Sequence, residues 1–322
     1  MADGLLADLV LEGGGVKGIG LVGALSVLEE QGYAFHRIAG TSAGAIVGSL
    51  VAAGVKATEL QDIMREVDYL KFRDPAFLTH LGGVGAGAEI LFHQGMYKGQ
   101  YVLDWVTDQL QKAGKHTFAD LRLDDPGAAP DLQHTYRLVV MTSDLSAGRL
   151  VRLPWDYQAD LDVDPDGQPI AEAVRMSMSI PIFYEPWRVG NSCFVDGGML
   201  SNFPVGVFDR TDDAEPRFPT FGIRLSGRPD ANQAPQKISG TLDLMKAMVA
   251  TMMNFHDQMW LDQRSVVDRT IFVECGKLKA TDFDLTKTDQ DMLYQNGRAA
   301  ATAFLDTWDW EAWKKAYWQP SH

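Results

Sequence analysis

Cysteine is nearly absent: the 322 residues hold two, Cys193 and Cys275. Both sit among apolar or β-branched neighbours (Asn-Ser-Cys-Phe-Val and Phe-Val-Glu-Cys), which suits buried strand ends in a reducing compartment and excludes a disulfide framework. Positive charge is scarce too, with 29 Lys and Arg against 43 Asp and Glu and a formal net charge of −14. That balance disfavours nucleic acid and gives no bulk attraction to an anionic bilayer, so partners must be recruited by local patches acting within roughly 8 Å. No apolar run reaches membrane-spanning length, and the opening Met-Ala-Asp-Gly-Leu-Leu-Ala-Asp carries acids where a signal peptide needs positive charge. A cytoplasmic protein is expected, with any membrane contact peripheral. Zinc-ligand spacing is missing. The stretch Asp162-Val-Asp-Pro-Asp-Gly167 opens like a calcium loop, but its twelfth position is Ala173 where a bidentate glutamate is needed, so a solvated acidic loop is expected there.

Apolar residues, by contrast, make up 46% of the chain, enough for a large core, and neither a linker-like stretch nor a repeat divides it. One domain over residues 1–322 is expected. Leu9-Val10-Leu11 predicts a buried strand over Asp8 to Glu12 running into a glycine cluster, and Ile19, Val22, Leu25 and Leu28 mark the core-facing stripe of a helix over Gly18 to Gln31. A second strand is expected at Phe35 to Ala39, followed by an Ala/Val/Leu-rich helix from Ala43 to Ala53. Further strands are expected at Tyr136–Thr142, Arg149–Leu153, Ser192–Val195, Thr220–Leu225 and Thr270–Glu274. The order strand, glycine loop, helix, strand, tight turn, helix opens an α/β fold with an open, mostly parallel sheet flanked by helices. The glycine-rich segment Leu81–Ala88 is either a movable lid or an irregular connection.

Three motifs carry chemistry. In Gly13-Gly14-Gly15-Val16-Lys17-Gly18, missing Cβ atoms let successive backbone N–H groups converge on an anion. The same residues satisfy G-x-G-x-x-G, but a dinucleotide site needs an acid at the end of the second strand, where this chain has Ile38-Ala39-Gly40-Thr41-Ser42. The second motif, Gly40-Thr41-Ser42-Ala43-Gly44, is G-x-S-x-G in the strand-to-helix setting that exposes a serine on a sharp turn; the bland alternative is a serine capping a helix. The third is Asp196-Gly197-Gly198, which alone reads as a turn.

Together and in this order the motifs resemble the patatin-like phospholipase family, with its G-G-G-x-[K/R]-G loop, G-x-S-x-G and D-G-[G/A]. Gly95-Met-Tyr-Lys-Gly, Thr117-Phe-Ala-Asp-Leu121, Val139-Val-Met-Thr-Ser-Asp-Leu145, Arg175-Met-Ser-Met-Ser-Ile-Pro181 and Asp196-Gly-Gly-Met-Leu-Ser-Asn-Phe-Pro204 extend the likeness over residues 8 to 225. Residues 226 to 322 would complete the domain with helices and a strand. The resemblance implies a lipid acyl hydrolase acting on a phospholipid or other acyl ester without a cofactor. It makes Ser42 the nucleophile, Asp196 the base, and the N–H groups of about Gly14, Gly15 and Val16 the oxyanion hole. Gly197, Gly198, Ser177 and Pro181 would support the site. Met176 and Met178 stand where the family often has small residues, so the pocket wall differs.

A serine hydroxyl needs a positioned proton acceptor, and a solvated carboxylate is a weak one, so Asp196 must be desolvated to serve. A histidine triad fits poorly. Only His256 and His322 follow Asp196, and His256 falls in a segment of helical character, Met245 to Trp260, where a triad histidine would lie in a loop. That segment carries Met245, Met248, Met252, Phe255 and Met259 at helical spacing, which predicts a core stripe or an acyl-chain wall. The C-terminal Trp308-Asp-Trp-Glu-Ala-Trp-Lys-Lys-Ala-Tyr-Trp318 suits either an interfacial helix or one docked by an aromatic face. The alternatives to a hydrolase are a non-catalytic lipid-binding or scaffold protein and a dinucleotide enzyme.

Overall fold

The computed structural model describes residues 5–74, 95–125, 135–210, 214–225, 238–261 and 263–318. The opening elements are β1 (Leu5–Leu11), α1 (Ile19–Glu30), β2 (Tyr33–Thr41), α2 (Ala43–Ala52) and α3 (Ala57–Glu66). They are followed by β3 (Gly95–Tyr97), α4 (Gln100–Lys112), β4 (Leu138–Asp144), β5 (Arg149–Leu153), α5 (Tyr157–Leu161) and α6 (Ile170–Ser177). Next come β6 (Ile182–Tyr184), β7 (Trp187–Val189), β8 (Ser192–Asp196) and β9 (Thr220–Arg224). The chain closes with α7 (Thr241–Leu261), α8 (Arg264–Val267), β10 (Thr270–Phe272), α9 (Lys287–Leu305) and α10 (Trp310–Tyr317). The glycine-rich Leu81–Ala88 segment lies outside the described residues.

The main sheet runs β10-β9-β1-β2-β4-β8-β7, with β5 also paired to β4. Its five strands from β10 to β4 are parallel, and β5, β8 and β7 are antiparallel additions. This is the expected open, mostly parallel α/β sheet. Every residue of β4 and of β9 is buried, as in strands covered by helices on both faces. The short β3, β6 and β7 carry too few residues for a periodic signal and were not expected from sequence.

Register positions the site. Leu11 pairs with Gly40 and Thr41 with Met141, so β1 and β2 end within one residue of each other while β4 runs on to Asp144. Strand β8 runs the other way and pairs Asp196 with Thr142. It therefore descends from beyond the sheet edge and stops one residue above the Thr41–Met141 pair, level with Ser42. A carboxylate at the end of an antiparallel strand thus reaches the carboxyl ends of parallel ones, where open α/β sheets bind ligands.

The C-terminal aromatics dock on the domain. Phe304 and Trp308 meet Phe221 of β9 edge-on, at centroid distances of 5.4 and 5.1 Å. Trp308, Trp310 and Trp313 stack in succession, and Trp313 Nε1 donates to Ser265 O at 3.1 Å. In the acidic Asp162–Gly167 loop, Asp166 is engaged by Arg122 and the Tyr136 hydroxyl. Cys275 is buried, while Cys193 is only half-buried.

Candidate active site

Ser42 joins β2 to α2 with φ 52° and ψ −122°. A β-carbon-bearing residue in that region is strained by about 1–3 kcal/mol and persists only where its surroundings enforce it. Here they do. The Ser42 N–H donates to Ser177 Oγ at 2.8 Å, and its carbonyl accepts the N–H groups of Ala45 and Ile46 at 2.9 and 3.2 Å. A Cβ on Gly40 would lie 2.2 Å from Gly44 O, and one on Gly44 would lie 2.2 Å from Leu11 O, so both flanking glycines are required by backbone packing. Thr41 Oγ1 ties the turn to Ser201 O at 3.2 Å, and Ala43 is buried behind it. Ser42 occupies the N-cap position of α2 but its side chain caps nothing, so the bland helix-cap alternative fails.

Asp196 is fully buried. Its N–H donates to Ser179 O at 2.9 Å, and its Oδ1 accepts the Gly198 N–H at 2.8 Å. Burial pushes its pKa from 3.8 up to about 7, while the Gly198 N–H and the neighbouring Ser42 hydroxyl hold it down. Asp196 Oδ2 has no partner among the described residues, and Ser42 Oγ instead makes a long contact, 3.5 Å, to Met178 Sδ. Catalytic hydrogen bonds are commonly loose before substrate arrives. Gly197 is packed by backbone, since a Cβ there would lie 2.3 Å from Met141 O. Pro181 lies between two walls of the cleft, Ile180 and Phe183.

The glycine loop follows β1 directly. Gly13 N–H donates to Asn202 O at 3.2 Å, Val16 N–H to Ala280 O at 3.1 Å and Lys17 N–H to Gly14 O at 3.2 Å. The N–H groups of Gly14 and Gly15 donate to no described residue. Gly15 adopts φ +56°, and a Cβ there would strike Ala280 O at 1.9 Å. Lys17 Nζ donates to Leu225 O at 3.1 Å, and Gly18 is buried at the start of α1. Behind the loop a buried pair, Glu12 with Arg224 Nε at 3.1 Å, anchors the end of β1 to β9.

Gly13, Gly14, Gly15, Lys17 and Ser42 line one cleft of about 860 Å³, within the roughly 300–1,000 Å³ usual for ligand pockets. Ile180, Phe183, Val249, Met253 and Leu278 supply its apolar wall, and Lys277 and Lys279 its exposed basic rim. The methionine stripe of α7 behaves differently from expectation: Met245, Met248 and Met252 are exposed, and Ala247, Ala250 and Met253 face the cleft. Helix α7 stands on the surface over the cleft, so spacing alone did not tell its two apolar faces apart. Phe255, His256 and Met259 lie outside the residues whose side chains are described. His36, at the other end of β2, pairs with Asp125 at 2.8 Å, and no described histidine bonds Ser42 or Asp196. Sequence patterns gave no role to Glu12 or Asn202, and they gave Met178 only as a change in the pocket wall. The one signal for Asn202 was its place six residues after Asp196, in the family-like segment Asp196–Pro204.

A family model described as patatin-like phospholipase matches residues 9–209. YqhO, an uncharacterized protein of Bacillus subtilis (strain 168), is 36% identical over 306 residues, covering 94% of this chain and 98% of its own length. Probable lipid hydrolase 463L of Invertebrate iridescent virus 6 is 22% identical over 204 residues, covering 62% of each chain. In fold, the crystal structure of VipD from Legionella pneumophila is similar, with a TM-score of 0.55 and 17% identity over 94% of this chain and 67% of that one.

Proposed function

This chain belongs to the patatin-like phospholipase family, and from that premise we propose that it is a lipid acyl hydrolase using a Ser42–Asp196 dyad. One observation carries the proposal: a strained serine elbow and a buried carboxylate with a raised pKa end level at one sheet edge, beside two glycine N–H groups that have no partner among the described residues. Asp196 takes the hydroxyl proton as Ser42 Oγ attacks the ester carbonyl. The oxyanion of the tetrahedral intermediate is received by Gly14 and Gly15 N–H, a kind of donor worth about 2.7–4 kcal/mol each. Within the six-residue loop these two are favoured because Gly13, Val16 and Lys17 already spend their N–H groups inside the protein. Asp196 passes the proton to the departing oxygen, and loss of the alcohol leaves an acyl-enzyme, which water hydrolyses.

The substrate class follows from the cleft and the family: a glycerophospholipid, lysophospholipid or neutral acyl ester whose chain lies along Ile180, Phe183 and Met253. Helix α7 turns Leu244, Met245, Met248 and Met252 outward next to that cleft, which supports peripheral contact with a lipid surface. Among the described residues no helix is long and apolar enough to cross a membrane.

A fluorophosphonate probe followed by peptide mass spectrometry tests the proposal. A stoichiometric adduct on Ser42, lost in Ser42→Ala together with ester hydrolysis, is the expected result. Folded wild type that neither takes the probe nor cleaves any acyl ester would return the chain to the non-catalytic lipid-binding alternative.

A further inference from the structure

Asn202 makes two different kinds of commitment in the cleft. Its backbone carbonyl accepts the Gly13 N–H, and its side-chain Nδ2 donates to Gly13 O, both at 3.2 Å. That second bond fixes which way the carboxamide faces, because only the nitrogen can donate to a carbonyl. Oδ1 is thereby turned the other way. It is buried, in a residue 8% exposed, and has no hydrogen-bond partner among the described residues. A buried amide oxygen left unpaired costs stability, so its retention needs a reason.

The surroundings of Oδ1 supply one. A Cβ built on Gly13 would lie 2.2 Å from Asn202 Oδ1 and 3.1 Å from Ser42 Cβ. A Cβ built on Gly198 would lie 2.9 Å from Asn202 Oδ1 and 3.0 Å from Asp196 Oδ1. The amide oxygen is therefore close to both the nucleophile and the carboxylate, and the Asn202 residue lines the cleft with Ser42. Asp196 Oδ2 is likewise a buried acceptor without a partner among the described residues. Two unpaired acceptors flanking one serine match a molecule with two donor hydrogens and one lone pair to spare.

We propose that Asn202 Oδ1 and Asp196 together hold the water that hydrolyses the acyl-enzyme, so that Asn202 serves deacylation specifically; this rests on the hydrolase function proposed above. One water hydrogen goes to Asn202 Oδ1 and the other to the Asp196 carboxylate. The oxygen lone pair then adds to the acyl carbonyl carbon as Asp196 accepts the proton. Collapse of the tetrahedral intermediate breaks the bond from carbon to Ser42 Oγ, and Asp196 returns the proton to that oxygen. The products are a free carboxylic acid and the original serine, with one water consumed. Acylation needs only the other half of Asn202, its grip on Gly13.

The test separates the two half-reactions by rapid-quench kinetics with a chromogenic acyl ester, with mass spectrometry of the intact protein during turnover. Asn202→Ala is expected to slow deacylation roughly 10- to 100-fold, the range for losing one hydrogen bond to a reacting group. Acylation should fall much less, so that acyl-enzyme accumulates to near stoichiometry. Asn202→Ser, which keeps a small hydrogen-bonding side chain, should recover part of the deacylation rate and guards against a folding defect in the alanine variant. Equal slowing of both half-reactions, or slowing of acylation alone, would mean that Asn202 acts only through Gly13 and would overturn the proposal. Wild type that forms no acyl adduct on Ser42 would instead overturn the hydrolase function itself.

Discussion

Replacing Asp196 with asparagine should move activity and stability in opposite directions, because burial that makes this carboxylate a base also makes it a burden on the fold. Its pKa is 3.8 when solvated and about 7 in the folded chain, a displacement of about 4 kcal/mol at about 1.4 kcal/mol per pH unit. Between those values the folded chain holds a proton that the unfolded chain has released. Stability therefore falls as pH rises from about 4 to about 7, and above 7 the fold carries the whole penalty. Asparagine does not ionise and keeps an acceptor for the Gly198 N–H, but its buried amide nitrogen costs about 1–3 kcal/mol if left unpaired. Asp196→Asn should thus be about 1–3 kcal/mol more stable than wild type at pH 8, a rise of a few degrees in melting temperature. The stability difference should shift by about 3 kcal/mol in favour of wild type between pH 8 and pH 5, enough to cancel or reverse it. Ester hydrolysis should drop by about 10²–10⁴. Thermal or urea melts of both proteins at the two pH values check this. An identical stability difference at pH 5 and pH 8 would refute the assignment of a buried, high-pKa carboxylate.

Two further outcomes follow from the same geometry. kcat/KM for a soluble ester should rise with pH through an apparent pKa of about 7, since Asp196 must be ionised to accept the serine proton; an acid limb near the ordinary carboxylate value, measured as a pH–rate profile, would contradict it. Combining Met245→Glu with Met248→Glu, both exposed on α7, should reduce hydrolysis of phospholipid vesicles about 10-fold or more while leaving a short soluble ester nearly unaffected. Vesicle sedimentation and the two activity assays read this out, and parallel losses on both substrates would remove α7 as a lipid contact.

Much of the frame was legible before folding. The β1 and α1 pattern, the second strand and the Ala43 helix all appeared at their places, because each is a local run long enough for its periodicity to show. The structure extended β1 back to Leu5 and β2 on to Thr41, where pairing rather than hydropathy sets the ends. Helix α7 was legible as a helix but not in orientation. Its methionines have the spacing of a core stripe, yet three of them face outward because the helix covers a cleft instead of the sheet. The C-terminal aromatics left two roles open, and contact with Phe221 decided for docking.

By itself the sequence marked the serine turn. Gly40 and Gly44 bracket Ser42 within one strand-to-helix step, and without Cβ atoms they admit the close backbone approaches that such a turn needs. Tertiary structure alone decided the direction of β8, which stops Asp196 level with Ser42, and the burial that raises its pKa. It also decided which N–H groups of the loop have no partner among the described residues, since Asn202 and Ala280 occupy those of Gly13 and Val16. These properties depend on partners far apart in the chain, as when Ser177 grips Ser42 from 135 residues away. Desolvation and hydrogen-bond occupancy belong to the packed assembly of such segments, and no single stretch of sequence carries them.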